Sequence, residues 1–175
     1  MWRDGFCKAQ INACVIDRRG PKLMSSDSNS PDLRDRYLAV LMLLEEFTSR
    51  IAVGGNVADL LVEDATLDTP RGQIAGRDTI ANLFQSMFET RRAEKRISRH
   101  LNSNLTIRKL DSNRIEARSL MTAFAIEPAS GMKGSLLIGD QLDIIICSSD
   151  GLMQFKSRKM VPQLTFDIAP AAARQ

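Results

Sequence analysis

The feature that most constrains this chain is a change of hydrophobic period near residue 96. Upstream, apolar residues recur at helical spacing. Downstream they alternate, as on strands with one buried face. The downstream part divides into strand-like runs at 97–109, 113–127, 134–147 and 151–161. Asp111-Ser112-Asn113, Pro128-Ala129-Ser130-Gly131 and Ser148-Ser149-Asp150-Gly151 separate them. Such links are turn chemistry, too short for the crossover that parallel neighbours need, so the runs should pair antiparallel. Helices followed by a meander predict an α+β fold, a curved antiparallel sheet with helices packed on one face.

The upstream helices have legible ends. Ser30 can cap the first, Pro31 suits its first turn, and Asp32 favours its positive end. Leu33, Tyr37, Val40, Leu41, Leu44, Phe47 and Ile51 form its apolar stripe. Leu38, Met42 and Leu43 widen that stripe, which predicts cover on more than one side. Gly54-Gly55 ends the helix. Asn56 can cap a short second helix carrying Val57, Leu60 and Leu61. A short strand at 65–70 precedes a third helix with Ile80, Leu83, Phe84, Met87 and Phe88 on one face.

Composition then excludes classes. Hydrophobic residues make up 43% and charged residues 26% of the 175, as in globular proteins. A formal net charge of +3, with no Lys/Arg run interleaved with aromatics, argues against nucleic acid as a partner. The densest basic stretch, Arg91-Arg92-Ala93-Glu94-Lys95-Arg96, falls where the third helix should end. It reads as cations at a negative helix terminus, with a phosphate or anion site as the alternative. The three cysteines, Cys7, Cys14 and Cys147, lack metal-ligand spacing, and one histidine cannot complete a cluster, so no metal is expected. Reduced thiols and the lack of any apolar span or secretory leader point to a cytoplasmic protein that does not enter membranes. Residues 1–31 read as a flexible arm, Met24 being a second plausible start. The folded domain is expected at 32–163, followed by a tail at 164–175 that frays.

The order of these elements carries a resemblance. A helix, a short helix, Leu60-Leu61-Val62-Glu63-Asp64-Ala65, a short strand, Gly76-Arg77-Asp78-Thr79-Ile80 opening the next helix, Arg99-His100-Leu101-Asn102-Ser103-Asn104 opening a long strand, and Asp150-Gly151 in the last hairpin follow in turn. Over residues 32 to 163 the chain resembles the nuclear transport factor 2-like superfamily, and within it the SnoaL-like group. The resemblance implies a cone, with a bent sheet wrapped around the helices and an apolar pocket at its wide end. That superfamily includes scytalone dehydratase, ketosteroid isomerase, a dehydrochlorinase, polyketide cyclases, dioxygenase small subunits and members without catalysis, so fold alone does not assign function.

His100 is the single histidine. In the dehydrochlorinase and dehydratase branch, a histidine at the start of this strand abstracts a proton inside the pocket, and His100 followed by Asn104 matches that pattern. Imidazole titrates near neutrality and can serve as base and then as acid. Regular alternation would put His100, Asn102, Asn104 and Thr106 on one face and Leu101, Leu105 and Ile107 on the other. The aspartate that the branch sets beside its histidine is missing, because Arg50 to Asn56 contains no carboxylate. His100 is thus either a hydrogen-bonded strand histidine or a ligand-facing base. Asp68, on the strand bordering the implied pocket, and Tyr37, the single tyrosine, are the other catalytic candidates, although Tyr37 also fits the core. Asn102 and Asn104 are candidate substrate-binding residues. Asp140 and Asp143 have opposite parity, so at most one faces inward, where it needs a partner.

These readings converge on a pocket protein for a small hydrophobic molecule, a cofactor-independent lyase, isomerase or cyclase with His100 as general base. The alternative is a non-catalytic ligand-binding or assembly module, such as a dioxygenase small-subunit-like protein. Both faces of the 113–127 strand are apolar, with Met121, Ala123 and Ala125 alternating with Leu120, Phe124 and Ile126, which predicts a homodimer through the sheet.

Overall fold

The computed structural model describes residues 33–128 and 133–168. The expected arm, Cys7, Cys14 and the end of the tail lie outside those residues. Helix α1 (Leu33–Val53) buries Val40, Leu43, Leu44, Phe47 and Ile51, one stripe at i, i+3, i+4 and i+7 spacing. Of the residues expected to widen the stripe, only Leu43 is buried. Leu38 is 46% and Met42 71% exposed, and Leu33 and Tyr37 are exposed as well. Among the described residues α1 is covered where it faces the sheet and the helix that carries Phe84 and Phe88. Gly54 ends the helix at a φ of 78°, and a Cβ there would lie 2.3 Å from the Phe88 ring, so both the backbone and the close approach of that ring require glycine.

The expected second helix is a single 3-10 turn, Ala58–Leu60, whose Ala58 N–H donates to Asn56 Oδ1 at 2.8 Å. Leu61 already belongs to strand β1 (Leu61–Thr69), which turns through Pro70-Arg71 into β2 (Gly72–Ala75). Helix α2 (Arg77–Ala93) follows and buries Ile80, with Phe84 packed against the core. Four long strands complete the described residues: β3 (Ile97–Lys109), β4 (Arg114–Glu127), β5 (Lys133–Cys147) and β6 (Met153–Ile168). β6 continues past residue 163, pairing through Ile168 with Gly134 of β5.

The fold is α+β, with two helices on a curved six-stranded sheet of order β2-β1-β6-β5-β4-β3. The sheet is mixed, not antiparallel throughout, because β1 runs parallel to β6. β3 to β6 are tied by short turns and must alternate in direction. β1 is joined to β6 by no hairpin, so its direction follows from packing alone. The core lies between the α1 stripe, Ile80 and the inward residues Ala65, Ile115, Ala117, Ile145 and Phe155 of the strands.

β3 departs from regular alternation. Its pairing with β4 shifts between Ser103 and Thr106, and Asn104 adopts a φ of 53°. This β-bulge reverses the parity of the strand beyond it. Ser98, His100 and Asn102 face inward before the bulge, and Leu105 and Ile107 face inward after it, packed against the core. Leu105 and Ile107 therefore share the inner face with His100, and of the three expected on the far face only Leu101 stands there, 57% exposed.

Candidate functional site

Between the helices and the inner face of the sheet lies a cavity of about 310 Å³. Phe47, Ile51, Leu83, Phe84, Met87 and Met121 supply most of its apolar wall. His100 and Asn102 enter from β3, Asp68 from β1, Gln141 from β5 and Arg158 from β6. Three of the expected site residues, His100, Asn102 and Asp68, thus meet at one cavity. Tyr37 and Asn104 do not line it. Tyr37 is exposed near the start of α1, before the buried stripe begins. Asn104 sits in the bulge with its side chain exposed, since the left-handed backbone takes it out of the alternation that would have aligned it with His100.

His100 is half-buried and its Nδ1 has no hydrogen-bond partner among the described residues. Burial, then the positive charges of Arg91 and Arg158, push its pKa down from 6.5 to about 4. The ring is therefore neutral at physiological pH and free to accept a proton. Both polar atoms of the Asn102 amide are likewise buried without a partner. Buried polar atoms are costly unless bonded, so the inner face at His100 and Asn102 offers unused donors and acceptors to a ligand. No hydrogen bond joins a carboxylate to His100 among the described residues. Asp68 instead accepts from Gln73 Nε2 at 2.8 Å.

The charged residue that the sequence reading missed is Arg158. Its Nε and Nη2 donate to the two oxygens of Asp143 at 2.9 and 3.2 Å, and Gln141 Nε2 donates to the same carboxylate at 2.8 Å. Arg158 is 6% and Asp143 1% exposed. The guanidinium carbon sits 4.0 Å from the Phe47 ring centre and 4.1 Å from that of Phe155. The bidentate pair and the two aromatic faces hold it in place, which leaves Nη1 outside the carboxylate pairing on a side chain that lines the cavity. The parity argument did bear on Asp143: it is the inward aspartate of β5 and it has a partner. Arg158 itself lay in Lys156-Ser157-Arg158-Lys159, a run that reads as solvated charge. Only the β5–β6 register, Asp143 opposite Arg158, brings the pair together.

A second cavity, of about 570 Å³, meets the first at Met87 and His100, which line both. Arg91 of α2 borders it. Its Nη1 donates to Ser98 Oγ at 2.7 Å and its Nη2 to the Ile51 carbonyl at 3.0 Å. Burial, with Arg96 as a second cause, pushes the Arg91 pKa down. Among the described residues no group of three His, Cys, Asp or Glu side chains is placed to hold a metal ion, and no helix is long and apolar enough to cross a membrane.

The model of the SnoaL-like domain family matches residues 55–159. No curated protein matches the sequence. Among solved structures, the chain is similar to a protein of Novosphingobium aromaticivorans DSM 12444 provisionally described as a scytalone dehydratase, at 20% identity and a TM-score of 0.66, covering 81% of this chain and 97% of that one. It is similar to the hexachlorocyclohexane dehydrochlorinase LinA-type3 of Novosphingobium barchaimii LL02, at 16% identity and a TM-score of 0.64, over 78% and 92% of the two chains. It also resembles ActVI-ORFA of Streptomyces coelicolor, at 17% identity and a TM-score of 0.60, over 74% and 96%. At these identities the likeness is one of fold.

Proposed function

The chain belongs to the SnoaL-like domain family, and from that premise we propose that it binds a small hydrophobic molecule against His100, which acts as general base in a cofactor-independent lyase, isomerase or cyclase reaction. The observation that carries this reading is a neutral imidazole with an unpartnered buried nitrogen at the wall of an apolar cavity. A carbon acid next to a carbonyl fits that wall. His100 takes the proton, and the negative charge that develops on the carbonyl oxygen is met by the Arg158 guanidinium, held in place by Asp143. An imidazole with a pKa of about 4 is a weak base in the empty protein. Negative charge developing on the substrate opposes the fields of Arg91 and Arg158 and strengthens the base as the reaction proceeds.

One observation favours a second reading. With no carboxylate bonded to His100 among the described residues, the ring lacks the orienting partner that such bases use. A module that binds the same ligand without turning it over, or that supports another subunit, fits this equally. A screen of hydrophobic ketones and polyketide-like aromatics separates the two. Ligands are identified by shifts of the His100 ring resonance and then followed for turnover. Catalysis predicts turnover that His100→Gln abolishes without loss of fold. Ligands that bind but are returned unchanged would leave the binding module.

The same reading includes self-association through the outer face of the sheet, a homodimer, supported by the apolar cross-strand row of Leu101, Ile138 and Leu164.

A further inference from the structure

Arg91 is the unusual cation of this molecule. It is half-buried and its two bonded acceptors, the Ser98 hydroxyl and the Ile51 carbonyl, are neutral. A cation withdrawn from water normally has an anion against it, because neutral acceptors replace only part of the lost hydration. The neighbouring charges do not serve. Glu94 is taken by Arg96, 3.1 Å away, and Arg96 also reaches Glu127 at 3.4 Å. Among the described residues Arg91 has no carboxylate within salt-bridge distance. It faces the second cavity instead, where the hydroxyls of Ser86 and Ser135 add neutral donors and the exposed Arg71 adds a further cation. This cavity and the apolar one share His100, so one ligand can present an apolar body to Phe47 and Phe84 and an anionic end to Arg91, with His100 between them.

We propose that the molecule this protein binds is an acid: an aromatic or otherwise apolar body in the first cavity, and a carboxylate or comparably acidic oxygen on Arg91 in the second. The assignment rests on the pocket reading above and narrows it, replacing a neutral hydrophobic ligand by an anionic one. It also gives a use to the basic stretch at the end of α2, of which Arg91 alone turns toward both Ser98 and Ile51. Asn102, with unused donor and acceptor atoms, lies on the same inner face and can bond a ring substituent.

The test uses the full chain and two probes of like shape, 2-naphthoate, ionised at neutral pH, and the neutral ketone 2-acetonaphthone. The protein has one histidine, so the ring resonance of His100 reports both without assignment work. Both probes should move it, and naphthoate should bind about tenfold more tightly, as one charge-assisted contact implies. Arg91→Gln should remove that preference and leave the affinity for acetonaphthone in place. If the glutamine variant does not fold, Arg91→Lys decides. A preference lowered severalfold supports the assignment, and an unchanged one overturns it. Acetonaphthone binding with no preference for naphthoate sinks the anion site while the pocket reading stands. Binding of neither probe sinks both.

Discussion

His100 is held in its neutral form by its surroundings. Water is largely excluded from the ring, Arg91 stands on the α2 side and Arg158 on the β6 side, and Asp68 from β1 is bonded to Gln73. In the unfolded chain the ring takes up a proton near pH 6.5, and in the folded protein near pH 4. Between those values the unfolded state binds more protons, so folding stability drops as pH falls from about 6.5 to about 4 and this contribution levels off below that. The loss is on the order of 2–3 kcal/mol, taken from the displacement and reduced for the partial exposure of the ring. Urea midpoints recorded across this window should fall with pH in the native protein and much less in His100→Gln. Proton resonances of the ring should titrate near pH 4, and Arg91→Gln should move that midpoint upward. A ring that titrates at 6.5 would contradict the burial of the site.

At the scale of elements, the bulge in β3 decides which side chains reach the site. One residue in the left-handed region, Asn104, switches the strand from even to odd inward parity. Asparagine tolerates that conformation through local hydrogen bonding, whereas a β-branched side chain clashes with its own backbone. Asn104→Val should cost about 1–2 kcal/mol, and Asn104→Gly only a few tenths, in denaturant titrations. A neutral valine would mean that the bulge relaxes at no cost. The bulge also explains why Asn102 reaches the cavity and Asn104 does not, although both lie at even positions with His100. A regular pattern was the natural expectation, because Leu101, Leu105 and Ile107 share odd parity and disguise the switch between them.

For the whole molecule, the feature that calls for cover is the outer face of the sheet. The register sets Leu101, Thr122, Ile138 and Leu164 in one cross-strand row, and Arg99, Phe124, Leu136 and Phe166 in the next. Leu164 is 51% and Phe166 49% exposed. An outward row of this composition, spanning four strands, is the kind of surface that associates. Light scattering at micromolar concentration should return about twice the 19.5 kDa of one chain, and Leu164→Lys with Phe166→Glu should return one chain's mass. A monomeric native protein rules the dimer out.

The sequence by itself determined what depends on neighbours along the chain. The helical stripe of α1, the extents of β3 to β5 to within a residue, the turn at Asp150-Gly151 and the position of His100 at a strand start follow from period, propensity and turn chemistry, all local properties. Tertiary structure alone decided the rest. β1 lies parallel to β6 because packing, not a hairpin, sets its direction. Asp143 meets Arg158 only through the β5–β6 register, and Arg91 reaches a carbonyl 40 residues away in α1. The candidate site is built from such distant partners. Whether a charged residue is solvated or faces a cavity depends on what lies across from it, and that information is carried by strand register and helix packing, which no window of neighbouring residues contains.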